Sequence, residues 1–292
     1  MRRFFVCVSL AAALCLTHTH PTRADELGDK GREILEKNQH SVVTVEVVLK
    51  MKFGMPGMGN QASEYKQDLT GTVVDPSGLT VLALSACEPG DSIQAMVAGL
   101  PEMSDEDRSF KIDTELSNIH ILLDDGVELP ADIVLRDRDL DLAFIRPKTK
   151  PATAVPALDL TKSARAQVLD QFIVLNRLGE AGGRAYAASV ERITALVRKP
   201  RLFYVPGSEL TSATLGSPAF SLDGNVLGIL VMRSVSKKSG GLDLFNPRPD
   251  GSIPIILPAE DVRKAASQAP ETQAAPEKSG NAVRPKTGPN QK

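Results

Sequence analysis

Thr214-Leu215-Gly216-Ser217-Pro218-Ala219-Phe220 runs directly into Ser221-Leu222-Asp223-Gly224-Asn225-Val226-Leu227-Gly228-Ile229. A loop with glycine and proline leads to a short apolar run, an Asp-Gly turn and then an apolar strand. Two stretches earlier in the chain have comparable punctuation. Asp75-Pro76-Ser77-Gly78-Leu79-Thr80-Val81-Leu82-Ala83-Leu84-Ser85-Ala86-Cys87 is a turn followed by an apolar run, and Asp125-Gly126-Val127-Glu128-Leu129-Pro130-Ala131 precedes Asp141-Leu142-Ala143-Phe144-Ile145.

In this order the stretches resemble trypsin-like serine proteases of the HtrA (high-temperature requirement) type. That family carries its histidine in D-P-x-G-[apolar]-I-L-T-N-x-H-V-V, its aspartate in D-L-A-[apolar]-[apolar], and its nucleophile in G-N-S-G-G-P before a D-G turn. The resemblance spans roughly residues 35 to 267 and implies an all-β fold, a chymotrypsin/trypsin-like double β-barrel with short N- and C-terminal helices. It puts Ser85 at the histidine position, Asp141 at the aspartate position and Leu215 at the nucleophile position, 56 and 74 residues apart. Ala213, Thr214, Gly216 and Ser217 fill the former oxyanion loop, the stretch expected to bind.

Two of the three triad positions therefore hold the wrong chemistry. A hydroxyl attacks a carbonyl only when an adjacent base takes its proton, and the aspartate only orients and supports that base. Leu215 cannot attack, and Asp141 has no imidazole to orient. Ala213 stands where the family has glycine, which permits backbone conformations that alanine resists. Ser217 lies two residues past the nucleophile position, with no histidine apparent to activate it. Only four histidines exist: His18 and His20 near the N-terminus, His40 before the first strand, and His120 in a strand over 119–123. By family position neither His40 nor His120 reaches the cleft.

Arg2-Arg3, the apolar run Phe4 to Leu16 and Thr22-Arg23-Ala24 have the three regions of a secretory signal peptide, with cleavage expected after Ala24. That run is too short for an ordinary transmembrane helix. The mature protein is expected to be secreted or periplasmic, with no membrane span. Cys7 and Cys15 leave with the leader, so Cys87 remains alone and reads as a small buried hydrophobe. Loss of Arg2, Arg3 and Arg23 takes the formal charge from −2 to −5. The dispersed basic residues do not point to nucleic acid, and the run Arg198-Lys199-Pro200-Arg201 reads as a solvated turn.

The expected organisation is a signal peptide over 1–24, a protease-like domain over 25–267 and a disordered tail over 268–292. A helical lead covers 26–38, strands follow over about 40–150 and 160–257, Pro147, Pro151 and Pro156 punctuate the crossover, and a helix closes the domain over Pro258 to Gln268. No PDZ domain is expected. Met51, Met55 and Met58 read as a glycine- and proline-broken loop. Asp137, Asp139 and Asp141 have EF-hand-like spacing, but Leu142 replaces the required glycine and Lys148 the final glutamate, which rejects a calcium loop. No metal or cofactor is expected. The functional expectation is a pseudoprotease that binds an unfolded or extended peptide, or a partner protein, without cleavage. Two alternatives are an active HtrA-like serine endopeptidase with an unrecognised nucleophile, and a structural or assembly subunit.

Overall fold

Valines and threonines crowd the first strand, where side chains branched at Cβ pack well on a pleated surface. The computed structural model describes residues 23–55, 59–90, 93, 111–207, 214–233 and 252–271. Strand β1 (Val42–Met55) pairs antiparallel with β2 (Gly59–Asp75) in unbroken register from Val42↔Thr72 to Met55↔Gly59. Its other edge pairs with β4 (Lys111–Leu122). Strands β3 (Leu79–Ala83), β6 (Leu142–Pro147) and β5 (Glu128–Asp137) complete a closed barrel in the order β1-β2-β3-β6-β5-β4.

The second barrel closes in the order β10-β11-β12-β9-β8-β7. It comprises β7 (Gln171–Arg177), β8 (Tyr186–Val197), β9 (Phe203–Pro206), β10 (Pro218–Ser221), β11 (Val226–Arg233) and β12 (Ile253–Pro258). Closure pairs the strand edges internally, which is how all-β folds avoid open ladders. Two six-stranded antiparallel barrels are the double-barrel architecture expected from the sequence. The Asp223-Gly224 turn joins β10 to β11: Gly224 takes a φ of +75°, favoured by glycine, and its N–H donates to Ser221 O at 2.9 Å.

The barrels are accompanied by helices α1 (Arg23–Asn38), α2, a single turn (Leu84–Cys87), and α3 (Ala259–Ala266). Each barrel has its own interior, Val45, Leu82, Ile121 and Ile145 in the first and Phe172, Val174, Ile193 and Leu230 in the second. A third apolar cluster lies between them. It joins Ile34 of α1 and Val262 of α3 to Val81, Phe144, Leu215 and Leu257. This junction packs the two barrels against each other and includes Leu215.

Some sequence expectations change. Met51 and Met55 belong to β1 and not to a loop, and Met51 is buried against the small cluster of Leu49 and Ile112, because apolar alternation continues past Leu49. Pro147 ends β6 opposite Ala131, so it belongs to the first barrel and not to the crossover. The N-terminal helix begins at Arg23 and the C-terminal one spans only Ala259–Ala266. Most of the expected signal peptide, Met58 and the tail beyond residue 271 lie outside the described residues.

Candidate functional site

Asp141 sits at the end of the turn between β5 and β6. Asp137 shapes this turn by accepting from the N–H groups of Asp139 and Leu140, each at 3.0 Å, through one carboxylate oxygen. Asp141 itself takes a φ of +57°, an uncommon conformation that aspartate tolerates better than most residues. Its backbone carbonyl accepts from Leu84 N at 3.0 Å. The carboxylate then spans three donors: Ser85 N to Oδ1 at 2.7 Å, Ser85 Oγ to Oδ2 at 2.9 Å, and Met232 N to Oδ2 at 2.6 Å.

The side chain thus closes the start of α2, where backbone N–H groups lack helical partners, and joins both barrels at one point. Burial dominates its acidity and pushes the pKa up to about 6, against the lowering effect of the donors from Met232 and Ser85. Asp137 and Asp139 do not share this pocket of donors. Among the described residues no group of three His, Cys, Asp or Glu side chains is placed to hold a metal ion.

Leu215 is 4 % exposed and belongs to the apolar junction between the barrels. The adjoining loop is tied down on both sides. Gly216 N donates to Leu230 O at 2.8 Å, Thr72 Oγ1 of β2 donates to Gly216 O at 2.8 Å, and Leu230 N donates to Ser217 O at 2.9 Å. Gly216 has a φ of +88°, and a Cβ there would lie 2.2 Å from Thr70 O, so the close approach of the two barrels requires glycine. Ser217 is fully buried, with no hydrogen-bond partner for Oγ. Thr214 is half-buried at the head of the loop. Ala213 lies outside the described residues.

The structure therefore brings Ser85 and Asp141 into direct contact, and seats Leu215 in the same apolar junction as Ala83, two residues before Ser85. A cleft of about 120 Å³ opens beside the pair, with Leu140, Phe203, Met232 and Leu257 among its walls. Three arginines also line it: Arg138, Arg201 and Arg233. Sequence reasoning missed this grouping. The run ending in Arg201 reads as a solvated turn until β9 carries its last member to the cleft. Met232 was missed because its contribution is a backbone N–H, which no side-chain pattern reveals.

His40 and His120 lie elsewhere. His40 Nδ1 is 2.6 Å from Asp124 Oδ2, and Asp124 also accepts from Arg177 at 2.7 Å and from Tyr186. Burial raises the Asp124 pKa, but the hydrogen bonds from His40, Tyr186 and Arg177 outweigh it and hold the carboxyl below its usual value. This cluster clamps the turn after β4 to the hairpin of the second barrel. His120 Nδ1 lies 3.4 Å from Glu128 Oε2 on the neighbouring strand. Cys87 is buried, and its thiol is pushed well above the usual range, first by burial and then by Asp141 and Glu88.

No described helix is long and apolar enough to cross a membrane. Comparison with curated proteins returns no match. The family model described as the trypsin-like peptidase domain matches residues 69–229, a span that contains Ser85, Asp141 and Leu215 and exceeds half of the chain. With two closed antiparallel barrels meeting at those three positions, the chain belongs to the trypsin-like peptidase domain family.

Proposed function

We propose that this chain is an exported, HtrA-type member of the family that binds extended peptides or partner proteins and does not cleave them. The observation that carries the reading is the occupation of the Asp141 carboxylate by Ser85, with 2.7 and 2.9 Å contacts where a general base would have to be held. A serine hydroxyl cannot accept and return a proton near neutral pH as imidazole does. Leu215 supplies no nucleophile, and the hydroxyl of Ser217 is sealed inside the protein.

A binding role asks for less. An extended chain adds to a strand edge through backbone hydrogen bonds, with alternate side chains read by pockets. On one side β11 pairs with β12 as far as Arg233↔Ile253, while on the other its ladder with β10 ends at Pro218↔Ile229. Among the described residues, β11 thus runs on past its ladder with β10 beside the cleft, where its Met232 N–H donates to Asp141.

The test pairs two measurements on the purified mature protein. Fluorophosphonate labelling and turnover of an unstructured protein substrate are expected at background level, while labelled extended peptides bind. Covalent labelling that Ser217→Ala abolishes would establish an active peptidase instead. Absence of both labelling and peptide binding would leave the barrels as an assembly surface.

A further inference from the structure

We propose that the cleft beside Asp141 selects acidic side chains of an extended polypeptide, with Arg201 and Arg233 receiving the carboxylate. This rests on the binding role proposed above and names the chemistry that the site prefers. The guanidinium groups come from separate parts of the fold: Arg201 stands just before β9, Arg233 ends β11, and Arg138 lies in the turn before Asp141. No local helix or strand pattern would gather them.

Arg138 is engaged, 3.3 Å from Glu88 Oε2. Arg201 and Arg233 are not: among the described residues neither forms an ion pair, although both are half-buried. Arg233 lies over the Phe203 ring, 5.0 Å from its centroid. The ring face attracts the cation without using its N–H donors, which suit the planar, bidentate acceptor that a carboxylate supplies.

The nearby acidic groups do not cancel this pair. Asp141 is turned to Ser85 and Met232, which take both of its oxygens, and among the described residues no arginine pairs with it. Asp139 also lines the cleft but is exposed, where its charge is screened by water and salt. Beneath the charges the walls are apolar, formed by Leu140, Phe203, Ile255 and Leu257. The volume of about 120 Å³ is several times the roughly 10–15 Å³ that admits a single water. One carboxylate with its short methylene stem fits that space, with the stem on the apolar walls and the charge at the arginines.

The experiment measures fluorescence anisotropy of three labelled twelve-residue peptides, built from Gly, Ser and Val, that differ only in a central Glu, Gln or Lys. All are amidated at the C-terminus, so that a side chain provides the only carboxylate. The Glu peptide is expected to bind about tenfold more tightly than the Gln peptide at low salt, with the advantage shrinking several-fold near 0.3 M salt. Arg201→Gln with Arg233→Gln is expected to abolish the Glu preference while retaining Gln-peptide binding. Equal binding of Glu and Gln peptides by the wild type overturns the inference and leaves the binding role standing. A Glu preference that survives the double substitution also overturns it. If none of the three peptides binds, the binding role itself fails and takes the inference with it. Should the double variant not fold, the wild-type comparison of Glu, Gln and Lys decides alone.

Discussion

Replacing Ser85 by alanine removes one of the three donors on Asp141 and leaves its backbone N–H contact in place. A hydrogen bond to a charged group contributes about 1.5 to 3 kcal/mol. The adjoining cleft admits water that can replace the hydroxyl in part, so the expected loss at pH 8 is about 1 to 2 kcal/mol. For a domain of this size, each kcal/mol lowers the unfolding midpoint by roughly 2 to 4 °C, which predicts a fall of about 2 to 8 °C. The cost should depend on pH. With its folded pKa raised to about 6 against an ordinary value of about 3.9, Asp141 contributes stability that is fully present below about pH 4 and is lost as pH rises through about 6. Removal of a donor to the charged form raises that pKa further and deepens the loss on the alkaline side. Thermal unfolding followed by circular dichroism at pH 5 and pH 8 should therefore show a clear decrement at pH 8 and a smaller one at pH 5. Equal midpoints at pH 8, or the same decrement at both values, would refute the argument that Ser85 stabilises a charged, buried Asp141.

Asp141→Asn should flatten the pH dependence: the stability of the wild type relative to this variant falls by up to about 3 kcal/mol between about pH 4 and pH 7, as measured by urea unfolding. Gly216→Ala should destabilise severely, because position 216 has positive φ and faces the Thr70 carbonyl; a midpoint within 2 °C of wild type would contradict the close barrel contact. Combined Leu215→Ser and Ser85→His should not yield family-like turnover of an unstructured protein, and the buried Leu215 change alone should cost about 2 to 4 kcal/mol through lost apolar contact and an added polar group. Cys87 should react with a thiol reagent only on unfolding, so fast labelling of the native protein would show that the first barrel opens.

The barrel architecture was legible because each of its signals is local. Turn residues at Gly78 and Asp223-Gly224, valine-rich and alternating apolar runs, and the Asp141-Leu142-Ala143 segment identify strands and their order without reference to distant residues. The identities of Ser85, Asp141 and Leu215 were legible for the same reason: they are a property of the sequence. The extent of β1 was less so, because Gly54 and Met55 continue a strand through pairing with β2 and β4, and only the partner strands supply that reason.

What the sequence by itself determined, then, was the kind of element most stretches form and the chemical groups that Ser85, Asp141 and Leu215 supply. Tertiary structure decided which groups meet. The Met232 N–H reaches Asp141 from 91 residues away, Gly216 is held by Thr72 across the barrel junction, and Arg138, Arg201 and Arg233 gather at one cleft from three separate stretches of chain. The raised pKa of Asp141 has the same origin, since burial between two barrels is a property of their packing. Side-chain chemistry is carried residue by residue, whereas desolvation, donor geometry and charge clustering arise only when closure of both barrels brings distant segments within hydrogen-bond range.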